Sequence, residues 1–315
     1  VLEDNLRTPS GVSYMLQNRE ISRRLFPSLF PKFNIAPVSD YPAMLYNQLK
    51  TLSNKRNPVI VLLTPGLFNS AYYEHTALAR LMGVELVQGN DLVVEDNYVY
   101  MKTTSGLMKV DIIYRRIDDD YLDPLNFKSD SILGVAGIID VYREGNIVIV
   151  NAPGSGIADD KATYIYVPEM INYYLNEKPI LKNIKTYQIK HKKDREYVLD
   201  NIKNLVIKRT DGSGGYGMLI GQDANQKEID DYILKIKKEP NKYIAQPTIS
   251  LSSTPCLVDS HLSPRCVDLR PFAVYGANGI EVSPGGLTRV ALKKGSLVVN
   301  SSQGGGSKDT WVLKG

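Results

Sequence analysis

The chain has 315 residues, of which 43% are hydrophobic and 23% charged, and its formal net charge is +4. These are ordinary globular proportions, which exclude a fibrous or disordered protein, and the length leaves room for two or three folded units. The small charge argues against a nucleic-acid binder, which concentrates basic residues on one face; the lysine runs at 190–193 and 235–238 lie beside acidic residues and read as solvated surface.

The opening VLEDN reads as the second half of a strand and lacks an initiator Met, so the chain is expected to be a piece of a longer protein with some machinery upstream. Pro9 and Ser10 lead into a predicted helix over SGVSYMLQNREISRRLF, with Val12, Met15, Leu16 and Leu25 apolar, and Pro27, Pro31 and Pro37 punctuate a connector. From 40 to 128 the grammar alternates. A helix over 44–52, the apolar strand PVIVLLTPG, a helix over 70–82, the strand VELV, a pair within DLVVEDNYVYMKT and the strand VDIIYRR predict a small, mostly parallel sheet.

A third region, 129–246, starts with a helix in SILGVAGIIDVYREG and the strand NIVIV. Helical stretches holding Lys161 and Met170 follow a glycine-rich turn at 153–156. Then come the strand LVIKR, the loop DGSGGYG, the strand MLIG, a helix from Asn225 or Gln226 to Lys238, and the strand KYIAQP. The last region, 247–315, alternates and turns at glycines like an antiparallel sheet, through CVDLRPFAVYG, GIEVSPGG, LTRVAL and SLVVN, and ends in SSQGGGSKD. The fold class expected is a mixture of α/β and α+β.

The two cysteines, Cys256 and Cys266, could pair across a hairpin, but two thiols in a chain of this length fit a reduced cytoplasmic protein. The longest apolar run, 59–63, has five residues, far short of the ~20 of a membrane helix, and no basic-then-apolar leader is visible. No membrane partner is expected.

The strongest local signal is VIKRTDGSGGYGM. A strand ends in Lys208 and hands over to a loop with glycines at 212, 214, 215 and 217. Glycines let successive backbone N–H groups turn toward one anion, and the neighbouring lysine adds a mobile positive charge for phosphate oxygens. A flexible hairpin turn reads equally well from these residues alone, and no Walker loop is present because no Lys-Ser/Thr pair follows the last glycine. Lys161, in IADDKATYIYVP, stands at a predicted helix start where free N–H groups favour phosphate; alone it reads as a salt-bridge partner. In VLEDNLRTPSG, the spacing of Glu3 and Asn5 puts both side chains on one face of a strand, although Glu-x-Asn alone occurs by chance in many proteins. The three histidines, His75, His191 and His261, lack metal-ligand spacing. His75 and Glu74 could face a substrate or form a helix-surface pair.

In company, these motifs resemble the circularly permuted ATP-grasp proteins, often described as glutathionylspermidine-synthase-like. The segments carrying the likeness span nearly the whole chain: EDNLRTPSGVSYMLQNR, LTPGLFNSAYYEHTALAR, DIIYRRIDDDYLDPL, ADDKATYIYVPEMI, DGSGGYGMLIG, YIAQPT, VDLRPF, GGLTRVAL and NSSQGGGSKDTWVL. The family pairs an early lysine with a second one before a glycine-rich lid, and it ends on Glu-x-Asn, which here stands at the front. The resemblance implies an ATP-grasp fold divided into a permuted final segment (1–39), a small pre-ATP-grasp α/β domain (40–128), a lobe with the phosphate lysines and lid (129–246), and an antiparallel lobe (247–315).

It also implies ATP and Mg²⁺, with two ions, as cofactors. Lys161, Lys208 and the lid residues Gly212, Ser213, Gly214, Gly215, Tyr216 and Gly217 would take phosphates. Ile244 and Ala245, by their backbone, and Gln246, where many relatives have Glu, would face the base. Glu3 and Asn5 would bind metal. Arg289, Arg270 and Arg7 would stabilise the transferring phosphoryl group, although Arg270 could instead pair with Asp268. Of Arg115 and Arg116 one, taken as Arg116, would face the substrate and the other solvent. Asn300, Ser301 and Ser302 would border the acceptor.

Two departures stand out. A further acidic metal ligand of relatives would lie ahead of residue 1, and the usual Pro after the second lysine is Arg209. The activity implied is formation of a peptide or amide bond between small-molecule carboxylates and amines, peptides included, through an acyl phosphate. The alternatives are a non-catalytic Mg-ATP-binding module or scaffold subunit, and a kinase that releases its acyl phosphate.

Overall fold

Helix formation follows the apolar spacing closely where capping residues agree with it. In the computed structural model, which describes residues 1–212, 217–258, 260–291, 293–299 and 305–314, the helix Gln226–Lys238 begins on Asn225. The Asn225 side chain accepts from the Glu228 N–H while the Glu228 carboxylate accepts from the Asn225 N–H, a reciprocal capping box. Residue contacts divide the chain into two units: one of Val1–Leu6, Ser155–Cys266 and Ala291–Gly305, the other of Arg7–Gly154, Val267–Val290 and Gly306–Gly315.

The first unit is built on an antiparallel sheet in the order Leu219–Ile220, Leu205–Arg209, Tyr243–Pro247, Tyr187–Gln188. Period-two alternation gives it two unlike faces. Ile207, Ala245 and Tyr187, in register, pack with Val198, Ile229 and Ile236 from the helices Lys192–Asp200 and Gln226–Lys238. Lys208, Ile244 and Gln188 form the matching row on the opposite face. A hairpin of Ser253–Val258 with residues 261–266 belongs to the same unit. Cys256 and Cys266 are both free thiols, because the register sets Cys266 opposite Ser253 and Cys256 opposite Ser263.

The second unit holds a parallel sheet in the order Glu85–Val87, Ile60–Leu63, Ile112–Arg115, Val148–Val150. Both faces are covered, as parallel sheets require. Val61, Leu63, Ile113 and Ile149 pack on one side with Ile138 and Val99. Ile60, Leu62, Ile112 and Tyr114 pack on the other with Val12, Met15, Leu45 and Leu78, from the helices Val12–Leu25, Tyr41–Lys50 and Tyr72–Met82. An antiparallel meander of Leu92–Glu95, Tyr98–Thr103 and Gly106–Lys109 is also present, its first turn carrying Asp96 and Asn97 at positive φ. Residues 267–276, Gly279–Val290 and Gly306–Asp309 form a second antiparallel set.

Several expectations are corrected. Residues 1–6 form no strand; their backbone bonds run singly, from the Val1 amine to the Lys182 carbonyl and from the Ile184 N–H to Val1, so no ladder builds. The helix expected across SILGVAGIIDVYREG is confined to Ile138–Arg143, since Gly134 lies so close to the Tyr121 and Leu122 carbonyls that even a Cβ would stand 2.2 Å from them. Val148–Val150 joins the parallel sheet rather than the next region. GIEVSPGG and the first part of LTRVAL are one strand, Gly279–Val290: Gly285 and Gly286 serve close packing, a Cβ on Gly286 meeting the Arg270 carbonyl oxygen at 2.7 Å, rather than a turn. SLVVN is irregular over 296–299, and the end of SSQGGGSKD is the strand Gly306–Asp309. Among the described residues no helix is long and apolar enough to cross a membrane.

Candidate functional site

The polar face of the first unit's sheet gathers the residues expected to handle phosphate. Lys208 and Gln246 sit diagonally on neighbouring strands, within reach of long side chains, and Lys208 Nζ donates to Gln246 Oε1 at 2.8 Å. The amide's other end is fixed too, Nε2 donating to Thr186 Oγ1 at 3.0 Å and to the Leu2 carbonyl at 3.4 Å. Lys161 Nζ donates to the Gly212 carbonyl and lies 3.7 Å from the Glu3 carboxylate. Burial, and then the nearby Lys161 charge, hold the Lys208 pKa below that of a free lysine, while Glu3 opposes the shift. Two cations and one carboxylate therefore share a small, partly desolvated space beside the end of the strand Leu205–Arg209.

Local structure explains the placements. Lys161 does not start an α-helix. It lies on a turn, its N–H bonded to the Thr210 carbonyl, and Asp160 Oδ1 accepts from the Ala162 and Thr163 N–H groups in the manner of a side-chain cap. Tyr164, buried, ties down residues 1–6: its hydroxyl donates to the Val1 carbonyl and accepts from the Ile184 N–H, and burial raises its pKa. Asp159 accepts from the Leu6 N–H. Desolvation likewise raises the pKa of Asp4. Glu3 is half-buried and Asn5 exposed.

The residues expected to face the base sit within the sheet. Ile244 and Ala245 lie on a central strand, paired with Gln188 and Tyr187 on one side and with Lys208 and Ile207 on the other, so their backbone groups serve the ladder. Gln246, only 3% exposed, is committed to Lys208 and Thr186. Gly212 and Gly217 are described, Gly217 at φ 65°. Ser213, Gly214, Gly215 and Tyr216 lie outside the described residues, as do Asn300, Ser301 and Ser302.

The arginines belong to the second unit. Arg289 donates from Nε to Asp268 Oδ1 at 2.9 Å and from Nη2 to Oδ2. Asp268 therefore pairs with Arg289, directly opposite it in register, and not with Arg270 two places along its own strand. Arg7 Nε stands 3.3 Å from Asp118.

The expectation that one of Arg115 and Arg116 faces solvent is overturned, for they are 0% and 4% exposed. Arg115 donates to the Ile117, Asn151 and Ala152 carbonyls and pairs with Asp119 at 2.7 Å; burial lowers its pKa and Asp119 counters. Arg116 donates to the Pro9 carbonyl and Ser10 Oγ and lies 3.4 Å from Glu74.

Glu74 and His75 are likewise buried rather than a helix-surface pair. Glu74 Oε2 accepts from the Gly11 N–H, the Ser13 N–H and Ser13 Oγ, which caps the helix Val12–Leu25 with a side chain from elsewhere in the chain. His75 Nδ1 is 2.8 Å from Thr64 Oγ1, and burial, with Arg116 adding, depresses its pKa to about 3. Sequence reasoning missed the capping role of Glu74 and the anchoring role of Tyr164. Nothing in local sequence signals either, since both act on residues far away in the chain.

A sheet carrying Lys208 with Lys161 and Glu3 beside it, in a chain of mixed helices and sheets that opens on Glu-x-Asn, fits the resemblance to ATP-grasp proteins. The chain belongs to the circularly permuted ATP-grasp type 2 family, whose model matches residues 1–291. An uncharacterized protein of Synechocystis sp. is 55% identical over 317 residues, covering 100% of this chain and 66% of that protein. A Frankia alni protein whose name carries a provisional glutamate–cysteine ligase assignment is 42% identical over 315 residues, covering 99% of this chain and 36% of its own length. The chain thus spans just under two thirds of the first relative and about a third of the second. Among solved structures, a glutathione synthetase-like effector from Globodera pallida in its apo form matches 99% of this chain and 70% of its own, with a TM-score of 0.58 and 10% sequence identity, a likeness of fold alone.

Proposed function

We propose that the chain carries the nucleotide site of an ATP-dependent carboxylate–amine ligase that forms a peptide or amide bond through an acyl phosphate. The observation supporting this most is the convergence of Lys161 and Glu3 with Lys208 of the sheet, beside Gly212. In this reading both lysines exchange their internal acceptors, the Gly212 carbonyl and the Gln246 amide, for phosphate oxygens. Glu3 and Asn5 offer only oxygen donors, which fits Mg²⁺, an ion commonly held by one or two carboxylates with substrate phosphates completing its shell. The ion, when bound, neutralises phosphate charge.

The reaction asks for positioning and charge neutralisation more than for a general base. A substrate carboxylate oxygen attacks the γ-phosphorus in line and ADP leaves; the amine then attacks the acyl carbon and releases inorganic phosphate. Lys161 and Lys208 hold the nucleotide, and Arg7, Arg270 and Arg289 are assigned to the transferred phosphoryl group, Asp268 orienting the guanidinium of Arg289. The contacts of Arg116 with the Pro9 carbonyl, Ser10 Oγ and Glu74 favour a role in holding residues 8–10 rather than in touching substrate. Asn300, Ser301 and Ser302 stay assigned to the acceptor on resemblance. The Frankia relative's name suggests amino acids or short peptides as the substrate class.

Cytoplasmic location is part of the same proposal. The test is ATP turnover against a panel of amino acids and small peptides with hydroxylamine present. An acid-dependent hydroxamate formed with ADP is expected. ADP release indifferent to every carboxylate and amine would sink the ligase reading and leave a nucleotide-binding module.

A further inference from the structure

We infer that Gln188 reads the nucleotide base, its side-chain oxygen accepting the exocyclic amine of adenine; this rests on the nucleotide reading above. Gln188 shares a row with Ile244 and Lys208 across three adjacent strands, on the face turned away from the hydrophobic core. At about 4.8 Å between strands, the amide stands roughly 10 Å along the row from the lysine. A nucleotide laid across the strands with its phosphates at Lys208 would pass over the apolar Ile244 and bring its base to Gln188.

The chemistry at Gln188 points to an amine. The side chain is 8% exposed, its Nε2 donates to the Tyr166 hydroxyl at 2.8 Å, and its Oε1, buried, has no hydrogen-bond partner among the described residues. A buried acceptor left open costs free energy in the unliganded protein, and a donor brought by a ligand recovers it. With Nε2 turned to Tyr166, the oxygen is the open end of the amide. Tyr166 is itself exposed and lines an open groove of about 480 Å³ with Glu169, Met170, Tyr173 and Tyr174, so the amide is one side chain removed from the surface. The backbone of Ile244 and Ala245 is engaged by the ladder, and Gln246, whose oxygen Lys208 releases to take phosphate, stays held at Nε2 by Thr186 and lies on the strand next to Lys208, not at the far end of the row.

An open acceptor discriminates bases by chemistry. Adenine offers a donor at position 6; hypoxanthine and guanine offer an acceptor there, which would face the Gln188 oxygen with no proton between them. Sites built to pair a polar group reject analogues lacking it far more strongly than apolar pockets reject a change of size.

Calorimetric titration of the chain with ADP, inosine diphosphate and purine riboside diphosphate, each with Mg²⁺, tests this. The unsubstituted protein is expected to prefer ADP over both analogues by about tenfold or more. Gln188→Leu should lower ADP affinity and bring the three within about threefold of one another, while Gln188→Glu, which keeps an acceptor, should retain the preference. The ligand series on the unsubstituted protein decides the matter even if a variant fails to fold. ADP binding without base preference, or a preference that survives Gln188→Leu, overturns the role of Gln188 and leaves the nucleotide reading standing. No binding of any of the three overturns both.

Discussion

Replacing Gln246 by Glu isolates what the lysine's internal partner does. The amide oxygen lies 2.8 Å from Lys208 Nζ, so Gln246→Glu puts a full negative charge at hydrogen-bond distance from a buried ammonium. At an effective dielectric of about 20 the Coulomb attraction is about 6 kcal/mol, offset by several kcal/mol for desolvating the new carboxylate. A net gain of about 1.5–3 kcal/mol for the closed pair of Lys208 with that carboxylate must then be broken when a phosphate claims the lysine, which predicts an ADP affinity about 10- to 100-fold lower.

The pH dependence carries a sign as well. Burial lowers the Lys208 pKa, so ADP affinity should fall on raising the pH earlier than for a free lysine; the added carboxylate raises that pKa and moves the fall to higher pH. Calorimetry with ADP and with adenosine across pH reads both effects. Adenosine has no phosphate and should be unaffected. Equal losses for ADP and adenosine, or no loss for either, would refute the assignment of Lys208 to phosphate.

Glu74→Ala leaves Arg116 buried without its carboxylate and uncaps the helix Val12–Leu25, and should destabilise by about 3–5 kcal/mol in urea titration; a cost within error of zero would show the network contributes nothing. His75 stays neutral in the native state down to about pH 3 but protonates near 6.5 when unfolded. Its contribution is thus complete above pH 6.5 and declines by up to about 1.4 kcal/mol per pH unit as pH falls toward 3. His75→Gln should flatten the stability profile in that window, and an unchanged acid slope contradicts this. Gly286→Ala sets a methyl against the Arg270 carbonyl and should cost about 1–3 kcal/mol in thermal melts.

Much of this was legible in the sequence because it is periodic or local. The strand around 60–63, the strand of Lys208 and the helix behind Asn225 each announce themselves by alternation, by an apolar run or by a cap, and they were found within a residue or two. The meeting of Lys161, Lys208 and Glu3 follows from the resemblance to the ATP-grasp pattern and not from any of the three residues alone. What stayed hidden depends on long-range partners. Arginines 115 and 116 look like surface charge until their acceptors, supplied by residues 8–10, 74, 117, 119 and 151–152, are folded around them. Gly285 and Gly286 look like a turn because the sequence does not show the backbone packed against them. Gln188 carries no motif at all; only the strand register puts it in line with Lys208.

The proposed function depends on a Mg-nucleotide site formed by Lys208 and Glu3. Calorimetric titration of ADP with and without Mg²⁺, on the parent chain beside Lys208→Ala and Glu3→Ala, probes that site without assuming any substrate. Micromolar binding to the parent is expected, about −8 kcal/mol, with most of it lost in Lys208→Ala and the Mg²⁺ dependence lost in Glu3→Ala. Absence of ADP binding to the parent, or affinities that neither substitution changes, would contradict a nucleotide site at these residues.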